Sequence, residues 1–206
     1  MMDKRERIKV FGEVFTSLKE VNAMLDLTQK ETFRTDSRFL EPACGNGNFL
    51  YEILSRKLNI LLEKFSNNKL DYQRQSLLAV SSLYGIDILK DNVNSAVERL
   101  LNLYKNKYQF DCNDKQKLFN SCEFILNKNI VNGDAISLKD INKQPIVFSE
   151  WSIVNNSYFK RRDFTFKELI ANQPFDTPNL FSDLGDEAFI PTPIKEFPLQ
   201  HFLNLK

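Results

Sequence analysis

The segment Glu41-Pro42-Ala43-Cys44-Gly45-Asn46-Gly47-Asn48-Phe49 has the residue types of a ligand-binding turn. The apolar pair Phe39-Leu40 leads into it, and a long apolar-periodic stretch follows. Gly45 and Gly47 let the backbone bend sharply and let a ligand approach the main chain. The helix start behind them offers N–H groups that have no partner within the helix. A second group with chemistry to do is Asp87, which closes the run Leu83-Tyr84-Gly85-Ile86. A carboxylate at a strand end can accept from both hydroxyls of a ribose, with Ile88 beside it against an adenine. Its other available role is to cap the helix that follows. A third carboxylate, Asp134, follows Ile130-Val131-Asn132-Gly133 and precedes Ala135.

The elements around these groups follow from hydrophobic spacing. Ser17 and Glu20 fit a capping box, and Leu18, Val21 and Leu25 then share one helix face. Leu50, Ile53, Leu54, Leu58, Leu61, Leu62 and Phe65 predict a long helix, ended near Asn67-Asn68. Leu77-Leu78-Ala79-Val80 begins a second short element. Leu83 to Asp87 reads as a strand, and Val93, Ala96, Val97, Leu100, Leu101 and Tyr104 as an amphipathic helix. The stretch from Tyr108 to Asn127 is polar and helical in part. Strand alternating with helix predicts an α/β protein with a mostly parallel sheet and flanking helices. Pro145-Ile146-Val147-Phe148 reads as a fourth strand of that sheet, and Ile153 to Phe166 as a hairpin around Asn155-Asn156. Phe166 to Ile170 reads as helix. Beyond it Pro174, Pro178, Pro191, Pro193 and Pro198 interrupt regular structure, so the sheet is read as incomplete toward the C-terminus. The expected organisation is one domain over residues 1–206, with a helical arm (1–30), a core (36–150) and an irregular part (151–206).

Composition narrows the function. The 206 residues carry a net charge of +1, so any nucleic-acid contact must come from a local basic patch. Lys160-Arg161-Arg162, flanked by Tyr158, Phe159 and Phe164, is the best candidate for phosphate contact and base stacking. A solvated, charged strand edge is the other reading of that run. Three cysteines without metal-ligand spacing and a single histidine, His201, predict neither a disulfide framework nor a metal centre. No apolar stretch is long enough to span a bilayer, and no apolar segment follows the charged N-terminus, so a cytoplasmic location without membrane contact is expected.

The string Glu-Pro-Ala-Cys-Gly-Asn-Gly-Asn-Phe-Leu at 41–50 resembles motif I of the adenine-N6 DNA methyltransferases, the S-adenosylmethionine (SAM) contact of restriction–modification systems. Gly12-Glu13-Val14-Phe15-Thr16-Ser17 is similar to motif X of the same family, with Ser17 in place of a proline, and Gly133-Asp134-Ala135 to motif III. The resemblance spans roughly Phe11 to Ile136. It implies a Rossmann-like SAM-dependent fold, with SAM held by Phe15, Thr16, Glu41, Pro42, Ala43, Gly45, Gly47, Asn48, Phe49, Asp87, Ile88, Asp134 and Ala135. Within it, Phe15-Thr16 faces the methionine end of SAM, and Asp134 accepts from the amine of its adenine.

The same family holds a flipped-out adenine with an Asn/Asp/Ser-Pro-Pro-Tyr/Phe motif after its fourth strand. Here that motif is altered. Asn172-Gln173-Pro174-Phe175 keeps Asn172, Pro174 and Phe175, while Ser149-Glu150-Trp151-Ser152 offers Ser149 and Trp151 as the alternative pair. The resemblance therefore implies methyl transfer to adenine N6 of DNA, helped by a second subunit or a second copy. Two other readings stand beside it: a SAM-binding protein without transfer activity, serving as a regulatory or partner subunit, and a methyltransferase for a non-DNA acceptor.

Overall fold

The computed structural model describes residues 4–171 and 191–206. Helix α1 (Lys4–Phe11) leads by way of an extended arm to α2 (Leu18–Leu27). Ser17 begins α2 with the expected capping box: its side chain accepts from the Glu20 N–H, and the Glu20 carboxylate accepts from the Ser17 N–H. After the single turn α3 (Gln29–Thr32) comes β1 (Phe39–Glu41), then α4 (Asn48–Lys64) and α5 (Lys69–Ser81). Asn68 separates those two helices by capping α5 through the Asp71 N–H. Leu77 to Val80, expected to open a separate element, lie inside α5.

Strand β2 (Leu83–Asp87) is buried throughout, and α6 (Lys90–Lys107), α7 (Lys115–Asn129), β3 (Ile130–Asp134) and the short β4 (Lys139–Asp140) follow. β1, β2 and β3 are parallel, with Glu41 opposite Gly85 and Asp87 opposite Asn132. This register brings the three carboxyl ends to one edge of the sheet. β4 adds to β3 antiparallel.

Leucines and aromatics from α4 to α7 cover one face of this sheet. Leu50, Leu54, Leu58 and Leu61 of α4 are buried at helical spacing, as are Leu77 of α5, Leu100 and Tyr104 of α6 and Leu118 and Ile125 of α7. Burying each leucine contributes roughly 2 kcal/mol against the entropy of ordering the chain. The opposite face carries a smaller cluster. Tyr84 and Ile86 of β2 meet Ile146, Phe148 and Phe166, and the Tyr84 and Phe148 rings pack edge-on at 5.2 Å.

The remaining strands form a second, antiparallel sheet: β5 (Val147–Val154), β6 (Tyr158–Thr165), then β7 (Lys195–Glu196) and β8 (Gln200–His201), both paired with β6. Helix α8 (Phe166–Ala171) follows β6. The expected fourth parallel strand is thus the start of β5, in a different sheet and antiparallel to its partner. Asn155 and Asn156, at φ +49° and +62°, turn the chain straight back, so the nearest partner for β5 is its own hairpin strand. The protein is α/β; among the described residues there are two four-stranded sheets, and only β1–β2–β3 are parallel. The anticipated boundary at 150 falls inside β5, and 151–154 and 158–165 are strand, joined by the turn at 155–157, rather than irregular chain. Among the described residues no helix is long and apolar enough to cross a membrane.

Candidate functional site

At the carboxyl ends of β1, β2 and β3 lies a cleft of about 530 Å³. Its walls are the arm 12–16, the turn 41–46 with the start of α4, the segment 87–89 with Asn92, and residues 133–136. Phe15, Thr16, Glu41, Pro42, Ala43, Gly45, Asn48, Phe49, Asp87, Ile88, Asp134 and Ala135 all line it. Segments separated by more than a hundred positions are thereby brought together around one space.

Gly47 is not among the lining residues. It stands at φ +83° immediately before α4, and a Cβ there would sit 3.1 Å from Ala96 Cβ of α6. Its role is to let α4 start close against α6. Gly45, at φ +51°, faces the arm instead, since a Cβ would meet the Phe15 ring at 3.1 Å. Phe15 therefore lies directly over the turn.

Four carboxylates line the cleft, from Glu13, Glu41, Asp87 and Asp134, and among the described residues no Lys, Arg or His does. Asp87 Oδ2 accepts from the Gly45 N–H at 2.9 Å, and its Oδ1 from the Leu89 N–H at 2.8 Å. The acid at the end of β2 thus clamps the glycine turn and steadies the entry to α6, which is part of the capping role open to it from sequence. Asp134 accepts from the backbone N–H groups of Ile136 and Ser137, and these bonds, the Ile136 bond foremost, hold its pKa below the usual carboxylate range. Burial raises the pKa of Glu41, against a smaller opposing effect from the Ala43 N–H. Glu13 alone has a cation: Arg7 grips it at 2.5 and 2.7 Å and lowers its pKa. Helix α4 opens onto the cleft with no side-chain cap and no acid in its first turn, so its free N–H groups offer the cleft a patch that favours an anion. Asn46 also lines the cleft, and its buried Oδ1 has no hydrogen-bond partner. The Cys44 thiol is pushed up to about 12 by burial and then by the Asp87 and Glu41 charges, which disfavours its thiolate.

Two residues that sequence reasoning missed hold this arrangement. Arg99 of α6 donates to the Asn46 carbonyl at 2.6 Å and to Asn48 Oδ1 at 2.9 Å, while Asn48 Nδ2 donates to the Thr16 carbonyl at 2.9 Å. Turn, helix and arm are pinned together by that chain of bonds. Asn92, in the first turn of α6, donates to Glu13 Oε1 at 2.7 Å and to Asp87 Oδ1 at 3.2 Å. Its place five residues after Asp87 was the only available signal.

The candidates for the target base are elsewhere. Ser149 is buried and donates to Asp163 Oδ1 at 2.7 Å. Trp151 is buried edge-on against Phe124 at 6.0 Å, with its indole N–H unpartnered. Neither lines the cleft. Asn172, Pro174 and Phe175 lie outside the described residues. The expected basic patch is not one surface. Lys160 and Arg162 point to one side of β6 and pair with Glu196 at 2.8 Å and Glu150 at 2.6 Å. Arg161 points to the other, pairs with Asp163 at 2.7 Å and lies over the Phe197 ring at 4.0 Å. Strand alternation splits the run, and each cation already has a carboxylate. Among the described residues no group of three or more His, Cys, Asp and Glu could hold a metal ion.

Comparison with family models, with curated proteins and with solved structures finds no match to this chain.

Proposed function

We propose that the cleft binds S-adenosylmethionine and that the chain serves methyl transfer to adenine N6 of DNA. One observation carries this reading: four carboxylates converge on a nucleoside-sized cleft that, among the described residues, no cationic side chain lines. A dinucleotide or a nucleoside triphosphate brings phosphates, which this charge distribution repels. SAM brings a sulfonium and an ammonium, which it attracts, and one carboxylate, which fits the uncapped start of α4. The volume suits a ligand of that size.

In this reading Asp87 accepts from the ribose, with Ile88 and Ala135 on either side of the adenine and Asp134 accepting from its amine. Glu41 and the Asn46 carbonyl oxygen atom Oδ1 accept at the amino-acid end, under Phe15 and Thr16. Bound SAM supplies a methyl group already activated on sulfur, so most of the catalysis left to the protein is placement. The adenine acceptor and the Rossmann-like methyltransferase fold rest on the likeness of 12–17, 41–50 and 133–135 to the family motifs.

A second reading, a SAM-binding subunit without transfer activity, is favoured by one observation. Ser149 and Trp151 are buried outside the cleft, engaged with Asp163 and Phe124. Under it, a partner polypeptide provides the side chains that hold the base. Calorimetry with SAM, NAD and ATP tests the cofactor: SAM alone should bind, and tight binding of either phosphate ligand would sink the proposal. Incorporation of labelled methyl into unmethylated DNA then separates the readings, since only the first expects it from this chain alone.

A further inference from the structure

The arm and the carboxylate at the end of β2 belong to different parts of the chain, yet they share one side chain. Asn92 is 6% exposed and uses both ends of its amide. Nδ2 donates to Glu13 Oε1 at 2.7 Å and to Asp87 Oδ1 at 3.2 Å, and Oδ1 accepts from Arg7 Nη2 at 3.1 Å. Arg7 in turn holds Glu13 with two bonds and also bonds Asp91, beside Asn92. Asp87 passes the link to the glycine turn through the Gly45 N–H, on which Phe15 of the arm rests. The path is closed: arm, Asn92, Asp87, turn, arm.

We propose that Asn92 is a positioning residue of the cofactor site, coupling closure of the 12–16 arm to the orientation of the Asp87 carboxylate. The inference rests on the reading that this cleft binds SAM. The physical reason is charge. Glu13 and Asp87 are both anions, and Asn92 is the neutral donor set between them, so it joins two groups that would otherwise repel. A ligand that fixes Asp87 then fixes the amide, and the amide fixes Glu13 and the arm. A ligand contacting Phe15 and Thr16 acts on Asp87 in the reverse direction by the same amount, as linkage requires.

The test measures SAM affinity by calorimetry together with amide hydrogen exchange of residues 13–16, with and without SAM. Wild-type protein should gain arm protection on binding. The Asn92→Leu variant should bind SAM about ten-fold more weakly, the loss expected for hydrogen bonds to charged groups, and its arm should gain no protection even at saturating ligand. Arg7→Met tests the link from its other end, on α1 and away from the sheet core. It should weaken binding about three-fold alone and add nothing in the Asn92→Leu background, because both act through one path. Wild-type affinity or retained arm protection in Asn92→Leu, or additive losses in the double variant, would overturn the proposal. Failure of wild-type protein to bind SAM would overturn the cofactor reading and this inference with it. Unaltered wild-type binding with an indifferent Asn92→Leu variant overturns this inference alone.

Discussion

The cleft and the antiparallel sheet handle charge in opposite ways. Around the hairpin, acids and bases are matched within the protein: Lys160 with Glu196, Arg161 with Asp163, and Glu150 with both Arg162 and Arg38. In the cleft, Glu41, Asp87 and Asp134 meet neutral backbone N–H groups and, among the described residues, no cation. Charges that satisfy one another hold a sheet together and leave nothing for a ligand. Charges steadied by neutral donors keep their field, and a cationic ligand can use it. By this criterion the run 160–162 is structural and the strand ends are the better candidates for meeting a ligand, although the run is far more conspicuous in the sequence.

The largest expected effect tests the structural side. Asp163→Ala leaves Arg161 inside the second sheet, facing Trp151, Phe124 and Phe197 with no carboxylate. Removing one partner of a largely buried ion pair costs about 3 kcal/mol, so denaturant unfolding should show a loss of that order. SAM affinity of the folded fraction should be unchanged. A concurrent loss of binding would mean that the sheet takes part in the site and would break the comparison.

Next in size is Asp87→Ala, which should weaken SAM binding by about a hundred-fold, the sum of two hydrogen bonds to a charged acceptor. Loss of the clamp on Gly45 accounts for part of this, so Asp87→Asn, which keeps the size and one acceptor, should recover some of it. Tight binding by Asp87→Ala would refute the ribose contact.

Lys57 is an exception that sharpens the rule. It is a buried cation on α4 without a carboxylate in contact, bonded to the Ser37 carbonyl and the Ser82 hydroxyl. Burial lowers its pKa to about 7, against weaker opposing effects from Asp36 and Glu31. The sign follows from linkage: between pH 7 and its ordinary value near 10 the unfolded chain binds the extra proton, so stability should rise with pH across that window. The penalty is fully present below about pH 7. Lys57→Met should remove this rise and stabilise the protein at pH 7 by about 2 kcal/mol, read as a shift in the urea midpoint. A flat wild-type profile would show that the lysine stays charged without cost.

How far the sequence revealed this follows from the distances over which the contacts run. The lining of the cleft was legible because its signals are local: a glycine turn after Phe39-Leu40, and acids that end the apolar runs at 87 and 134. Gly47 was the exception, since its packing on Ala96 depends on a helix 49 positions later. Arg99 was invisible for the same reason, and Asn92 was marked only by its closeness to Asp87; the Asn92 bond to Glu13 spans 79 positions. The start of β5 was misjudged because a short buried run shows that a strand exists but not which neighbour it takes or in which direction. Trp151 looked free to stack on a base because nothing near it in sequence announces Phe124. For Lys160 to Arg162, local reading sees the charges and misses partners such as Glu150, which the hairpin register places opposite Arg162.

Glu41 gives the smallest and most specific effect. It is the cleft carboxylate whose pKa burial raises, so it takes up a proton at higher pH than an ordinary glutamate. If its charge faces the cationic end of SAM, protonation removes that attraction while leaving the shape of the site intact. SAM affinity should then fall as the solution is acidified, beginning above the pH at which solvent-exposed glutamates titrate. Glu41→Gln should bind about five-fold more weakly at neutral pH, as expected for losing one partly screened charge contact, and should show no such fall. The neutral analogue in which carbon replaces sulfonium sulfur, its ammonium kept, should lose part of this sensitivity and show which of the two cations Glu41 reads. An identical pH profile in wild type and Glu41→Gln would show that the field in the cleft comes from Asp87 and Asp134 alone, leaving Glu41 to shape the turn.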